Sequence, residues 1–271
     1  MKTTNIYSNT PERTAAFRQM ALAPNEDIPI FEMNDTTARD LNVIWSSVED
    51  LATRWRGGRD ARIIDKPTNR QEFWGAFAAE NVTPHLPVAK EFIEKSTGLD
   101  KTAIDLGCGN SQTTRLLLER GWKVTAIDSS RPTLEIVKSK NEKEFKSRQL
   151  TLIKTDATTF VPKEPVDLVI ASDVLPYTDP SKFQDSWTKI HDTFIKEDGF
   201  LIGTLFIVPT EPESIPHINV MKEFGGWALP DRRMVRALLT QTGYEVQTCR
   251  YRKDLDLEPM AVQFVAQKKT P

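Results

Sequence analysis

The sequence contains very little cysteine and histidine, and it has no long apolar run. Its 271 residues include two cysteines and three histidines, which are too few for the disulfide framework of a secreted protein or for a four-cysteine zinc site. The longest apolar run, residues 199–208, is about half of a membrane span. The amino terminus lacks the apolar core of a signal peptide. These absences predict a cytoplasmic protein with no membrane segment and no metal site.

An excess of charge of one sign is also missing. The chain carries 36 Lys and Arg residues against 38 Asp and Glu residues, which gives a formal net charge of −2. A chain of this balance is not expected to coat nucleic acid or to bind a membrane surface through its overall charge. Its length is sufficient for a core that needs no disulfide or metal.

The pattern of apolar residues divides the chain near residue 98. Residues 1–98 contain helical signals and no convincing strand, and the apolar positions between 36 and 56 fall on one helical face. From residue 101 onward, β-rich runs alternate with amphipathic helical stretches. The β-rich runs are 102–106, 122–127, 150–153, 166–171, 200–208, 244–251 and 261–266. We therefore predict a helical extension over 1–98 and a second domain over 99–271.

Strands separated by helices predict an α/β fold, with a doubly wound, mostly parallel sheet of seven strands. The helices expected around this sheet cover 87–96, 113–120, 132–145, 179–196 and 230–242. About nine residues connect the last two β-rich runs, and a link of this length permits a hairpin. The last strand is therefore expected to be antiparallel.

The clearest chemical signal follows the first predicted strand, where Gly107 and Gly109 occur in Asp-Leu-Gly-Cys-Gly. Glycines allow a sharp turn and bring bare backbone against a ligand, and the next helix directs its first amides to the same place. Asp128 ends the second predicted strand, where a carboxylate can accept both hydroxyls of a ribose. The pattern therefore predicts a nucleoside-binding site.

Two residues help to decide whether the expected ligand is a dinucleotide or a cationic nucleoside. A dinucleotide fingerprint has a third glycine at the position that Gln112 occupies. Asp105 would be repelled by a pyrophosphate and attracted by a ligand that carries an ammonium and a sulfonium. A cationic nucleoside is thus favoured over NAD, and an NAD-dependent oxidoreductase stays the less favoured alternative.

Residues 105–109, with the acid at position 128, resemble the first two motifs of the class I S-adenosylmethionine-dependent methyltransferases. Residues 155–157 (Thr-Asp-Ala) resemble the family's adenine-binding motif, and residues 166–173 resemble its fourth-strand motif beside the transferred methyl group. This resemblance covers about residues 100–268. It implies a Rossmann-like fold and S-adenosyl-L-methionine as cofactor, with S-adenosyl-L-homocysteine as product. The cofactor-binding residues that it implies are Asp105, Gly107, Gly109, Asn110, Asp128, Ser129, Asp156, Ala157, Asp173 and, as a lid, Trp74.

Some positions depart from patterns of related families. Ser111 occupies the third glycine position of the first motif. The fourth motif does not read Asp-Pro-Pro-Tyr, because the Pro-Tyr at residues 176–177 lies beyond Asp173. Neither Cys108 nor Cys249 follows a proline, as the nucleophile of a cytosine C5 methylase would. A nucleic-acid acceptor is therefore not expected.

Residues 1–98 and the proline-rich loop 209–230 flank the expected methyl donor, so we predict that they form the acceptor pocket. Their aromatic residues, which are Trp45, Trp55, Phe73, Trp74 and Trp227, favour a small or medium-sized acceptor, with a protein side chain as the alternative. Candidate general bases are His217, Asp173 and Tyr177. A non-catalytic binding or regulatory module is also compatible, because the motifs indicate binding rather than turnover. The oligomeric state stays open.

Overall fold

The computed structural model describes residues 86–110, 112–207, 229, 232–252 and 261–270. In these ranges, a seven-stranded sheet has an apolar core on each of its faces. The predicted helical extension lies mostly outside the described residues. Only its last helix, α1 (Pro87–Lys95), falls within them, so the division of the chain at residue 98 stays a prediction.

The described elements follow one another in the alternating order that the sequence predicts. After α1 come β1 (Thr102–Leu106), α2 (Gln112–Glu119), β2 (Lys123–Asp128), α3 (Arg131–Lys140), α4 (Glu142–Lys146), β3 (Leu150–Lys154), β4 (Val166–Ala171), α5 (Phe183–Lys189), β5 (Ile195–Phe206), α6 (Arg232–Gln241), β6 (Tyr244–Tyr251) and β7 (Ala261–Lys268). Two short 3₁₀ turns, Leu175–Tyr177 and Pro180–Lys182, lie between β4 and α5, and a π-helical turn, Ile190–Phe194, follows α5.

The sheet has the strand order β3-β2-β1-β4-β5-β7-β6. Strands β1 to β5 are parallel, and β7 runs antiparallel to both of its neighbours. The prediction of a mostly parallel sheet with an antiparallel last strand is confirmed. The strand order reverses between β1 and β4, and open α/β sheets bind ligands at the carboxyl ends of the strands at such a point.

The central strands are buried on both faces, so apolar residues occur along them almost without interruption. On β4, Val169 belongs to the core on one face, whereas Leu168 and Ile170 belong to the core on the other. This alternation follows from the two-residue period of a strand. It explains why β1 and β4 occupy the predicted residues, since buried parallel strands produce short continuous apolar runs.

The predicted helix over 132–145 is wrong in its continuity, because the chain forms two helices. α3 begins where Ser130 accepts a hydrogen bond from the backbone N–H of Thr133 at 3.4 Å, a cap that contributes about 1 kcal/mol. α3 ends at Asn141, whose φ of −132° and ψ of 42° are not helical. The Asn141 side chain donates a hydrogen bond to the carbonyl of Val137 at 2.8 Å, which supports the break before α4.

The boundary between the predicted helix 179–196 and the predicted strand 200–208 is also wrong. β5 already begins at Ile195, which pairs with Val166 at the start of β4. The chain bends at Asp198, whose φ is +61°, and it rejoins the ladder where Phe200 pairs with Leu168. Pairing with β4 therefore overrides the helical pattern at residues 195 and 196, and the left-handed residue absorbs the irregularity.

Trp187 lies at the centre of one core and offers a test of this packing. It is fully buried, it contacts the rings of Phe183, Tyr244 and Phe264, and its indole N–H donates to Thr242 Oγ1 at 3.0 Å. We expect Trp187→Ala to lower the free energy of unfolding by about 3–5 kcal/mol in urea titration. Leu99→Ala, at a position that is 73% exposed, should change it by less than about 0.5 kcal/mol. Equal effects of the two substitutions would contradict this packing.

Candidate functional site

The glycine turn between β1 and α2 forms the centre of the site. Gly107 and Gly109 have φ angles of +61° and +51°, which side-chain-bearing residues rarely adopt. A Cβ on Gly107 would lie 2.7 Å from Cγ2 of Val174, so the turn packs directly against the residues that follow β4. Among the described residues, a Cβ on Gly109 would meet no atom closer than the carbonyl oxygen of Gly107 at 3.9 Å. Within these residues, the turn is thus closed on the side of Val174 and open beside Gly109.

Asp128 ties this turn to the next strand. Its Oδ2 accepts a hydrogen bond from the backbone N–H of Gly109 at 3.3 Å, and its Oδ1 accepts one from the N–H of Ser130 at 2.8 Å. Burial raises the pKa of the Asp128 carboxyl, and the backbone amides that it accepts from act against this rise. The helix-cap role belongs to Ser130. A carboxylate has about four lone-pair positions, so Asp128 retains acceptor capacity beyond these two bonds.

Asp105 lies beneath the turn and is only 2% exposed. It accepts a hydrogen bond of 2.6 Å from Oγ1 of Thr114 on α2. Burial raises the pKa of Asp105 to about 7, the hydrogen bond from Thr114 opposes the rise, and the negative charge of Asp128 adds to it. The turn therefore has the carboxyl group of Asp105, with its raised pKa, on one side and the carboxylate of Asp128 at its edge.

Two further predicted residues continue the turn and the strand. Asn110 is buried, and its backbone carbonyl accepts a hydrogen bond from Lys140 Nζ at 3.2 Å. Ser129 follows Asp128 and is half-buried. Asn110 and Ser129 directly follow Gly109 and Asp128, which are hydrogen-bonded to each other. The structure therefore brings these four predicted site residues together.

Asp156 and Ala157 lie beyond the end of β3, the strand next to β2. Asp156 is exposed, and its Oδ1 accepts hydrogen bonds from the N–H and the hydroxyl of Thr158 at 2.8 Å and 2.6 Å. Lys189 Nζ donates to the carbonyl of Thr158 at 2.5 Å, which fixes the loop against α5. The chain reaches this loop from Thr155, whose N–H donates to the carbonyl of Asp128 at 3.2 Å.

Asp173 lies just after β4 and is held in a left-handed conformation with a φ of +52°. Arg252 Nη1 contacts Asp173 Oδ2 at 2.6 Å, and both side chains are largely buried, with 20% of the Arg252 side chain and 24% of the Asp173 side chain exposed. The other carboxylate oxygen, Asp173 Oδ1, is buried and accepts no hydrogen bond from any residue that the structure describes. Sequence reasoning missed Arg252, because its partner lies 79 residues away along the chain. The signal available for it was its place at the carboxyl edge of the sheet, directly after β6.

Tyr177 stands next to this ion pair. Its ring packs edge-on against Phe206 at a centroid distance of 5.3 Å, and these two residues form a small apolar cluster with Ala261. Burial raises the pKa of the Tyr177 hydroxyl, the charge of Asp173 adds to the rise, and Arg252 opposes it. The phenol therefore keeps its proton at neutral pH.

A second pair of residues that sequence reasoning missed lies beside this cluster. Thr204 of β5 and Gln263 of β7 face each other across the ladder and are 0% and 1% exposed. Thr204 Oγ1 and Gln263 Nε2 are buried and bond to no group in the described ranges. Each such atom costs about 1–3 kcal/mol. In the sequence, each is a single polar residue within an apolar run, so the pattern predicts a buried strand and indicates no site at either position.

The remaining predicted residues fall outside the described ranges. These are Trp74, expected as the lid, and His217, the first candidate base, and both stay predictions. Among the described residues, no group of His, Cys, Asp and Glu side chains is arranged to hold a metal ion. In the same ranges, no helix combines the length and apolar character needed to cross a membrane.

The pKa of Asp105 leads to a prediction about stability. An unfolded Asp has a pKa of about 3.9, so the value of about 7 means that the folded chain holds this proton more tightly. This contribution is full below pH ~4 and is lost as the pH rises through about 7. We therefore expect Asp105→Asn to gain stability relative to the wild type as the pH is raised from 5 to 8, measured by urea unfolding at each pH.

Asp167 provides the control of opposite sign. Burial alone would raise its pKa, but hydrogen bonds from the N–H and hydroxyl of Thr102 and from Lys196 outweigh burial and lower it. Asp167→Asn should lose stability relative to the wild type above pH ~4. Parallel pH profiles for Asp105→Asn and the wild type would contradict the assigned state of Asp105.

Comparison with known families bears on what this arrangement does. Residues 103–199 match the family model described as a methyltransferase domain. These residues begin in β1 and end within β5, so they include the glycine turn, Asp128, Asp156 and Asp173. No curated protein matches the sequence.

Several solved structures share the fold at low sequence identity. The 1,6-didemethyltoxoflavin-N1-methyltransferase of Burkholderia thailandensis, solved with 1,6-didemethyltoxoflavin and S-adenosylhomocysteine, is 13% identical with a TM-score of 0.53 over 83% of this chain and 89% of its own. An O-methyltransferase family 2 protein of Planctomyces limnophilus, in complex with apigenin, is 16% identical with a TM-score of 0.55 over 75% of this chain and 62% of its own. The [4+2]-cyclase SpnF is 14% identical with a TM-score of 0.51 over 68% of this chain and 81% of its own.

The family match and the fold agree with each other and with the motifs. The matched residues contain the turn and the strand ends at which the predicted site residues lie, and the compared structures share the fold. Residues 103–199 thus match a methyltransferase domain, and the described part of the chain has the Rossmann-like fold of the methyltransferases compared above.

Proposed function

We propose that the chain is an S-adenosylmethionine-dependent methyltransferase that transfers a methyl group to a small or medium-sized acceptor. The observation that carries this proposal is the position of the Asp128 carboxylate, which accepts the N–H of Gly109 while it ends the adjacent strand. A carboxylate held there can accept the two hydroxyls of a ribose whose nucleoside lies along the glycine turn. The family match over the same residues supports this assignment.

The charges around the turn fit this cofactor. Asp105 and Asp128 lie close enough for the charge of Asp128 to raise the pKa of Asp105. A ligand with an ammonium and a sulfonium is attracted by these carboxylates, whereas a pyrophosphate is repelled. The open space beside Gly109 allows such a ligand to approach bare backbone.

The other proposed contacts follow the strand ends. Asp156 has its Oδ1 engaged by Thr158, and we assign its second oxygen to the adenine amino group, with the backbone of Ala157 at the ring. Asn110 and Ser129 complete the contacts on either side of the ribose. Asp173, at the end of β4 beside the turn, lies at the side where the methyl group is transferred, and Trp74 is the proposed lid.

The bound cofactor supplies a methyl group on a positively charged sulfur, which is already a good electrophile. The main tasks of the chain are therefore alignment of the acceptor for in-line displacement and exclusion of water. Tyr177 is a poor base, since burial raises the pKa of its hydroxyl. Asp173 is engaged by Arg252 through one oxygen only, which leaves its other oxygen to orient an acceptor. His217 stays a candidate base.

We extend the proposal to residues 1–98 and 209–230 as parts of the acceptor pocket. The rival is a protein that binds the nucleoside without transferring its methyl group. This rival is concrete, because the structure of a [4+2]-cyclase shares the fold. Transfer of labelled methyl from S-adenosylmethionine to a fraction of cell extract, followed by mass spectrometry, distinguishes the two. Tight binding without transfer to any fraction would favour the rival.

The ligand preference offers a direct test. S-adenosylmethionine and S-adenosylhomocysteine should each raise the melting temperature of the purified chain, because a ligand that binds only the folded state stabilises it. NAD and NADH should leave the melting temperature unchanged. Differential scanning calorimetry measures these shifts, and stabilisation by NAD alone would reverse the assignment.

Substitution of Asp128 tests the ribose contact. We expect Asp128→Ala to weaken the binding of S-adenosylhomocysteine by at least about tenfold in calorimetric titration, since each hydrogen bond to a charged group contributes about 1.5–3 kcal/mol. Asp185→Ala, at an exposed acid of α5, is the matched control and should bind as the wild type does. The melting temperature of each variant without ligand separates loss of binding from loss of folding. Unchanged affinity in a folded Asp128→Ala protein would refute the contact.

A further inference from the structure

The sheet ends at β6, and this edge lacks most of the features that prevent edge strands from pairing. β6 is the last strand in the sheet order, and no described strand lies beyond it. It has eight residues and contains no lysine, proline or glycine. β3, at the opposite edge, has five residues and ends in Lys154. Short length, lysine and proline protect strand edges in folded proteins, so β6 is the edge that is more open to a further strand.

A bulge at Gln247 divides β6 into two halves whose side chains alternate in mirrored order. Val246 pairs with Ala266 of β7 and Thr248 pairs with Val265, so β6 contains one extra residue between these two pairs. Residues directly opposite each other in a ladder share a face, and successive residues of β7 face opposite sides of the sheet. One face of β6 therefore carries Tyr244, Val246, Cys249 and Tyr251, and the other carries Glu245, Thr248 and Arg250.

This mirrored order makes β6 complementary to a second copy of itself. With a two-fold axis between residues 247 and 248, Glu245 lies opposite Arg250 of the second copy, and Val246 lies opposite Cys249 of the second copy. The two members of each pair share a face of the sheet, as directly opposite side chains must. Without the bulge, positions an odd number of residues apart, such as 245 and 250, would face opposite sides. The bulge is therefore what makes this register possible.

The charges favour this register over its alternatives. Glu245 and Arg250 have opposite signs, and the two-fold axis forms their pair twice. A register centred on Glu245 or on Arg250 would place that residue opposite itself, and like charges directly opposite are destabilising. Arg250 contacts Glu91 of α1 at 2.6 Å, and 44% of its side chain is exposed. Because a guanidinium has five N–H donors, Arg250 can hold Glu91 and a second carboxylate together, and Glu245 is exposed.

We propose that the chain forms a two-fold symmetric homodimer through its β6 strands, in which Glu245 of each copy pairs with Arg250 of the other. Backbone hydrogen bonds between the two strands supply affinity, and the side-chain pairs fix the register. The product is a continuous sheet with seven strands from each copy. The two β6 strands run antiparallel, so the glycine turns of the two copies lie at opposite ends of the strands. This inference does not depend on the proposed function.

Charge reversal with rescue tests the pairing. Sedimentation velocity of the full wild-type chain should show a species of twice the mass of one chain. Glu245→Arg and Arg250→Glu should each raise the dissociation constant of the dimer at least about tenfold, because two like-charge pairs replace two opposite-charge pairs. Their combination restores opposite charges and should return the constant close to the wild-type value. Glu119→Arg, which reverses an exposed acid of α2, is the matched control and should dimerise as the wild type does.

Introduced cysteines test the register. Glu245→Cys combined with Arg250→Cys places two thiols directly opposite each other across the axis, within the Cα separation of a disulfide. Mild oxidation should then give a covalent dimer on a non-reducing gel. Either substitution alone leaves the introduced thiols of the two copies five residues apart, which is roughly 17 Å along a strand. Each single variant should therefore give no covalent dimer.

The outcomes decide the proposal once near-ultraviolet circular dichroism has shown that each variant is folded. A wild-type chain that is monomeric from micromolar to millimolar concentration would overturn the inference. A dimer whose dissociation constant neither single charge reversal changes would also overturn it, because such a dimer uses another surface. Failure of the combined reversal to restore the dimer, together with no covalent link in the double cysteine variant, would reject the paired β6 strands.

Discussion

The site depends on one carboxylate that holds two backbone amides on different segments. Asp128 accepts hydrogen bonds from the backbone N–H of Gly109 in the glycine turn and from that of Ser130 at the start of α3. A single side chain therefore connects the segments that follow β1 and β2. Hydrogen bonds to a charged group are stronger than those between neutral groups, and this one is largely shielded from water. Because the turn is also packed against Val174, the exits of β1, β2 and β4 are held in one fixed arrangement. These contacts fix the conformation of the turn on the sides of Asp128 and Val174.

Much of the fold could be predicted from the sequence, because its central strands are buried on both faces. β1 and β4 appear in the sequence as uninterrupted apolar runs and occupy the predicted residues. The glycine turn could also be predicted, since Gly107 and Gly109 have the positive φ angles for which glycine is suited. The errors arose where tertiary pairing competes with local periodicity. Ile195 continues a helical pattern but pairs with Val166 of β4, and no local signal states that preference.

The residues around the end of β4 were less accessible to sequence reasoning, and the reason is physical. Arg252 forms an ion pair with Asp173. A contact between residues so far apart in the sequence cannot be predicted from composition or from hydrophobic periodicity. Thr204 and Gln263 are single polar residues within apolar strands. Only their burial without partners distinguishes them from residues that face water. The predicted nucleoside-binding residues thus occur in local sequence motifs. The residues near the ends of β5, β6 and β7 are isolated in the sequence and come together only in the fold.

The position of β7 has a consequence for the order in which the molecule is completed. Among the described strands β7 is the last along the chain, yet it lies between β5 and β6. Until residues 261–268 emerge, β6 has no strand beside it and the outer edge of β5 is unpaired. The nascent chain can therefore form the five parallel strands first, and β7 closes this edge only after β6 has been synthesised. Exposed strand edges favour aggregation, so β7 protects two strand edges at once when it inserts between β5 and β6.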